Sequence, residues 1–231
     1  MTFNTLREQA YEANLELKRR NLAIYTWGNV SAFDPDRGIF AIKPSGVEYD
    51  KLTPDMMVLV DLDGKVTEGG SLKPSSDTKT HLVLYREFKN IRGVTHTHSP
   101  YAVAWAQAKK PVPVFGTTHA DHCAFEIPCT PFITPEAVKS DYELETGKLI
   151  VETFKAGNLD THISMALVAG HGPFTWGESA WEAVYNSVIL EEICKMALFT
   201  VTLDPLAKPL PAHITEKHWR RKHGPDAYYG Q

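Results

Sequence analysis

Apolar positions at Leu6, Ala10, Ala13 and Leu17 recur at helical spacing, so residues 3–20 are expected to form an amphipathic helix. From Ile24 to about Glu68 the period shortens, and β-branched and aromatic runs are cut by Asn, Asp, Gly and Pro. That texture indicates strands, with MMVLVDLDGKVTEG reading as a hairpin that turns at Asp63-Gly64. THLVLYREF follows Ser75-Ser76-Asp77 and reads as a helix capped by one of those three polar residues. RGVTHTHS is expected to be a short strand, and PYAVAWAQA a helix with Pro100 in its first turn. Residues 109–140, rich in Pro and Thr and without a clear period, are expected to be loops and short strands. SMALVAGHGPFTWG reads as a buried strand, a Gly-His-Gly-Pro turn and a returning strand. The strongest helical pattern covers 179–200, with Trp181, Val184, Tyr185, Val188, Ile189 and Ile193 along one broad stripe. Pro205, Pro209 and Pro211 then break the chain before a basic segment, HITEKHWRRKHGPDAYYGQ.

No repeat, low-complexity tract or linker divides this pattern. It implies one α/β domain over residues 1–231, built on a central, mostly antiparallel sheet flanked by helices. At 231 residues the chain is long enough to bury a full core. A formal charge of −4 and the lack of a long Lys/Arg block give no support to nucleic-acid or membrane-surface partners. A phosphorylated substrate stays open, because backbone amides and a few local cations hold phosphate in an acidic protein. Cys123, Cys129 and Cys194 form no C-x-x-C pair and read as reduced thiols. No run of about 18 apolar residues and no signal-like N-terminus occur, so a soluble, cytoplasmic protein is expected.

Ten histidines are the unusual part of the composition. In His96-Thr97-His98, strand geometry points both imidazoles to one face and Thr97 to the other. Two such rings can grip one divalent ion, although H-x-H also arises at strand ends without one. His171, between two glycines just past a buried strand, is the candidate third ligand. Three neutral imidazoles with an open position would make a catalytic zinc site rather than a structural one. His119 and His122 flank Asp121 as a rival cluster, but no regular element places all three together; Asp121 is the favoured member. His81 is expected on a helix face and His162 on an exposed turn. His213, His218 and His223 read as solvated surface or subunit contact.

Three polar segments suit an anion: Gly28-Asn29 after a strand, Lys43-Pro44-Ser45-Gly46 closing another, and Ser75-Ser76 opening a helix. Each is also an ordinary turn or cap taken alone. Asp77 has two competing roles, as a helix N-cap and as a further metal or substrate ligand.

With these segments in view, the strings TWGNVSA, IKPSGV, KPSSDT, HTHS, GTTHAD, IPCT, YELETG, HGPF-x-WG and KHG-x-x-AYYGQ stand in one order from residue 26 to residue 231. Together they resemble the class II sugar-phosphate aldolase/epimerase family, on its epimerase side. The resemblance implies a three-layer α/β fold with one zinc ion (or another divalent metal) per subunit. It also implies a C4 homotetramer whose active sites lie at subunit interfaces, with the tail 213–231 entering a neighbour's site. By position, His96, His98 and His171 are similar to the family's zinc ligands, and Asp77 to an aspartate at the metal. The related aldolases resemble one another in carrying a glutamate base there, so Asp77 favours the epimerases. Gly28, Asn29, Ser45, Gly46, Ser75 and Ser76 match substrate-binding segments, with Lys43 beside them. Asp121 and Tyr229 match two acid–base residues, Tyr229 coming from the adjacent subunit. Thr117, Glu143, His218 and Arg221 match supporting positions.

The activity so implied is conversion of L-ribulose 5-phosphate into D-xylulose 5-phosphate, by breaking and remaking C3–C4 through an enediolate. Two rivals are a class II aldolase that releases its aldehyde and, more distantly, a non-catalytic module held together by zinc.

Overall fold

The computed structural model describes residues 2–68, 71–159, 163–223 and 227–228. The chain begins with helix α1 (Phe3–Arg19), then strands β1 (Asn29–Asp34), β2 (Ile39–Ile42), β3 (Val58–Asp61) and β4 (Val66–Glu68). Helix α2 (Thr78–Glu87), strand β5 (Gly93–His96), and helices α3 (Pro100–Ala108), α4 (Thr117–His122) and α5 (Pro135–Gly157) follow. The hairpin β6 (Met165–Val168) and β7 (Gly172–Gly177) precedes helices α6 (Ala180–Leu203) and α7 (Ala212–His223).

All seven strands form one sheet in the order β4-β3-β2-β1-β5-β7-β6, and every pairing is antiparallel. Alternation along the strands separates two faces. Val30, Ala32, Ala41 and Leu59 pack under Leu6, Ala10, Ala13 and Leu17 of α1 and the start of α6. Phe33, Phe40, Ile42, Val58 and Val60 join a larger core with Leu82 and Leu84 of α2 and Ile150 and Phe154 of α5. The result is helix, sheet, helix.

Two local devices fix α1. The Thr2 side chain accepts from the Thr5 amide as its N-cap. Asn14, in the middle of the apolar stripe, donates to the Val30 carbonyl at 2.8 Å and accepts from the Val30 amide at 2.9 Å. That paired amide keeps a buried polar group satisfied and locks the helix to β1.

The structure departs from the sequence reading in three places. Residues 109–140 are not all loop: α4 lies inside them and α5 begins there. Helix α5 bends at Asp141 (φ −150°, ψ 88°), whose carboxylate accepts from the Leu144 amide and starts the second segment. Its inner face begins with Thr146 and Gly147, where a Cβ at Gly147 would stand 2.8 Å from the Val83 Cβ, and continues through Ile150, Val151 and Phe154. Second, the basic tail segment folds into α7. Third, the bulky stripe of α6 is buried only in part, through Val184 and Ile193 with Val188 and Ile189 packed against the core. Ala180, Ala183, Val184, Leu190, Ile193 and Ala197 are buried, while Trp181 and Tyr185 are about half exposed (55% and 47%). Small side chains let α6 approach the sheet, and the aromatic ones are left outside.

Candidate active site

The site forms where β1, β5 and β7 end together. His96 is the last residue of β5; it pairs with Asn29 of β1 on one side and Phe174 of β7 on the other. Its ring stacks on Phe174 with centroids 4.2 Å apart. His98 lies two residues on, and His171 occupies the turn of the β6–β7 hairpin, closed by the Val168↔Gly172 pair. Gly172 is required by space: a Cβ there would meet the Thr97 carbonyl oxygen at 2.8 Å. Gly170 turns the chain with φ +71°.

The three rings converge. His96 lies 4.8 Å from His98 and 4.7 Å from His171 between centroids, and their ligand atoms all fall within 4.8 Å of one another. His96 Nδ1 donates to the Pro173 carbonyl at 2.9 Å, which leaves the lone pair on its Nε2. That Nε2 is 3.1 Å from His98 Nε2. Two donors at about 2.0–2.1 Å from one tetrahedral cation would be about 3.3 Å apart, so the donor set fits a divalent metal.

Electrostatics agree with that fit. Burial, reinforced by His96, pushes the His171 pKa down to about 4 and lowers that of His98 as well. His171 is therefore a neutral imidazole at pH 7, the form that ligates metal. Burial acts to raise the Asp77 carboxyl, but His96, His81 and a hydrogen bond from Asn29 outweigh it and hold it below its usual value. Asp77 thus stays ionised beside the rings. It occupies the N-cap position of α2 without making a capping bond; its Oδ2 instead accepts from Asn29 Nδ2 at 2.7 Å. His81, one turn along α2, is fully buried with Nδ1 on the Ser31 hydroxyl.

A cleft of about 490 Å³ opens over His98 and His171. Every residue expected to bind substrate lines it: Gly28, Asn29, Lys43, Ser45, Gly46, Ser75, Ser76 and Asp77, with Glu143 on the α5 wall. The segments are tied to one another. The Ser45 amide donates to the Lys73 carbonyl at 2.9 Å, and the Ser75 amide to the Lys43 carbonyl at 3.0 Å. Gly28 has φ +77°, and a Cβ on it would stand 2.9 Å from the His96 carbonyl oxygen. Lys43 is buried among these loops, which brings its ammonium pKa down to about 8.

Thr26, Trp27 and Tyr142 also line the cleft and were not singled out by the sequence. Tyr142 follows the bend in α5, and its hydroxyl lies 3.5 Å from His171 Nδ1. The only signal available was its place at the head of YELETG.

Asp121, Thr117, His218 and Arg221 lie elsewhere. They belong to α4 and α7 and do not line this cleft. The Asp121 carboxylate accepts from Arg221 at 2.8 Å and 2.6 Å and from His218 Nδ1 at 3.0 Å. His223 Nε2 donates to the Asp121 carbonyl at 2.9 Å. His218, half-buried, and His223, on the exposed surface as the sequence reading has it, both hydrogen-bond to Asp121 within the chain. Burial acts to raise the Asp121 carboxyl, but Arg221 and His218 hold it low. His119, the proposed rival ligand, points Nε2 at the Phe125 carbonyl, and the one metal-competent group among the described residues is His96, His98 and His171. Tyr229 and His162 lie outside the described residues.

The profile of the family described as the class II aldolase and adducin N-terminal domain matches residues 8–198. A relative from Salmonella paratyphi C (strain RKS4594), named L-ribulose-5-phosphate 4-epimerase UlaF, is 50% identical over 227 residues, with 98% of each chain covered. Among solved structures, an L-fuculose 1-phosphate aldolase superposes with a TM-score of 0.76 at 22% identity, covering 94% of this chain and 95% of that one. At that identity the likeness speaks for the fold. YgbL from Escherichia coli superposes with a TM-score of 0.72 at 27% identity, over 93% of this chain and 98% of its own. On this fold and this match, the chain belongs to the class II aldolase and adducin N-terminal domain family.

Proposed function

We propose that this chain inverts C4 of L-ribulose 5-phosphate to give D-xylulose 5-phosphate. One observation carries the reading: a cluster of three imidazoles, of which His98 and His171 line the cleft, meets an anion-suited rim of amides, hydroxyls and Lys43 there. The name of the relative that is 50% identical points the same way.

C4 is not adjacent to the C2 carbonyl, so removing its proton would leave a carbanion without an electron sink. Breaking C3–C4 sends the bonding electrons toward that carbonyl and frees glycolaldehyde phosphate. Turning the aldehyde before the bond reforms inverts C4. His96, His98 and His171, with Asp77 beside them, would hold one divalent cation per subunit, which we take to be zinc. When bound, it supplies Lewis-acid stabilisation of the negative charge that develops on the C1–C3 fragment.

The chain's own groups do the rest. Gly28, Asn29, Ser45, Gly46, Ser75, Ser76 and Lys43 grip the phosphate and retain the aldehyde fragment within reach. The C4 hydroxyl gives up a proton as the bond breaks and takes one as it reforms, with its oxygen on opposite sides in the two epimers. Two acid–base groups are therefore needed, and we assign Asp121 and Tyr229. His218 and Arg221 orient Asp121, Thr117 begins the helix that carries it, and Glu143 supports the cleft wall.

Because Asp121 does not line the cleft of its own chain, we infer a C4 homotetramer in which α4, α7 and the tail 213–231 complete a neighbour's site. Trp181, Tyr185, Phe199 and Leu203, exposed along α6, support a subunit contact. A charged sugar phosphate is confined where it is made, which supports a cytoplasmic setting. The test is a coupled assay: zinc-reconstituted protein should convert L-ribulose 5-phosphate into D-xylulose 5-phosphate, and absence of turnover overturns the proposal.

A further inference from the structure

We propose that Tyr49 is a positioning residue that locks the loop before β1 to Lys43, so that both engage the substrate's phosphate as one unit. The inference rests on the phosphate reading of the cleft and adds a residue that does not line it. Tyr49 opens a short 3-10 turn, Tyr49–Lys51, and is buried. Its hydroxyl donates to the Gly28 carbonyl at 3.0 Å and reaches the Trp27 carbonyl at 3.2 Å. A phenol has one proton, so these two carbonyls share it. They immediately precede Asn29, whose backbone is paired with His96.

The ring has a second task. Lys43 Nζ sits over it, 5.0 Å from the centroid. Lys43 is 2% exposed, its ammonium otherwise reaches the Pro44 carbonyl at 3.4 Å, and among the described residues no carboxylate forms an ion pair with it. A buried, unpaired ammonium is costly, and the negative face of an aromatic ring offsets part of that cost. The remaining compensation is an anion in the cleft. One side chain therefore braces the backbone of one anion-binding loop through its hydroxyl and steadies the cation of another through its ring.

The two tasks separate in a pair of variants tested in the zinc-loaded, full-length protein. Tyr49→Phe keeps the ring; Tyr49→Leu removes both functions. Loss of one net hydrogen bond predicts about a fivefold rise in the dissociation constant for inorganic phosphate by titration calorimetry, with a matching rise in KM. The rise should be larger for Tyr49→Leu, with kcat and metal content within about twofold of the parent for Tyr49→Phe. A lowered melting temperature with unchanged phosphate affinity and KM would make Tyr49 merely structural and overturn the proposal. A measurement without substitutions guards against misfolding: phosphate should slow amide hydrogen exchange in 26–29, 43–46 and 49–51 together. Protection confined to 43–46 also overturns it. Phosphate binding without epimerisation would count against the proposed reaction and leave the role of Tyr49 standing.

Discussion

Asn29 and His96 stand opposite each other across the β1–β5 ladder. The Asn29 side-chain amide also donates to Asp77 at 2.7 Å, so one register position joins the loop before β1, the imidazole cluster and the start of α2. Its Oδ1 is buried with no protein partner among the described residues, so the polar contact the side chain makes is the one to the Asp77 carboxylate.

Asn29→Ala should therefore lower kcat/KM by about tenfold or more, the size expected for losing a hydrogen bond to a charged group. Metal content should stay near that of the parent, because no imidazole is touched. Steady-state kinetics with elemental analysis checks this, and unchanged kcat/KM would contradict the assigned role.

His98→Asn removes one of three converging nitrogens while keeping a polar side chain of similar reach. Metal occupancy and turnover should fall together. Full zinc content in that variant, read by elemental analysis, would rule His98 out as a ligand.

Lys43 sets a pH dependence. Its ammonium form is depressed to about pH 8 by burial, against an ordinary value of 10.5. The group is charged below that point and neutral above it, while a sugar phosphate, with a second pKa of about 6, is already dianionic there. Phosphate grip should weaken as pH rises through about 8, seen as a falling alkaline limb in kcat/KM. Lys43→Met should bind substrate poorly throughout and lack that limb; a retained limb would assign it to another group.

Shared sites make a stoichiometric prediction. His98→Asn and Asp121→Asn should each be inactive alone. After subunit exchange in an equal mixture, about a quarter of sites in a C4 ring would combine an intact cleft with an intact neighbouring Asp121. Recovery toward that fraction is expected; none after exchange verified by native mass spectrometry would place Asp121 outside a neighbour's site.

Much of the site was legible because its parts are local. Strand alternation predicts His96 and His98 on one face, and the two rings do meet although β5 stops at His96; the polar segments at 28–29, 43–46 and 75–77 announce themselves as turns or caps. Helix α5 was missed because it bends at Asp141 and its buried face opens with Thr146 and Gly147, so only Ile150, Val151 and Phe154 carry an apolar period. The α6 stripe misled only at its two aromatics, since Trp181 and Tyr185 face outward while Val184, Ile193 and the alanines pack inward.

Convergence was another matter. His171 reaches His96 because β7 pairs with β5 in the register His96↔Phe174. Gly28 and Lys43 line one cleft because β1 pairs with β2. Asp121 finds Arg221, 100 positions away, through the packing of α4 against α7. Residue order along the chain determines which side chains share a face of one element, because backbone geometry repeats every two or 3.6 residues. Which faces meet is decided by strand order, register and the burial of distant apolar surfaces, and those exist only once the whole chain has folded.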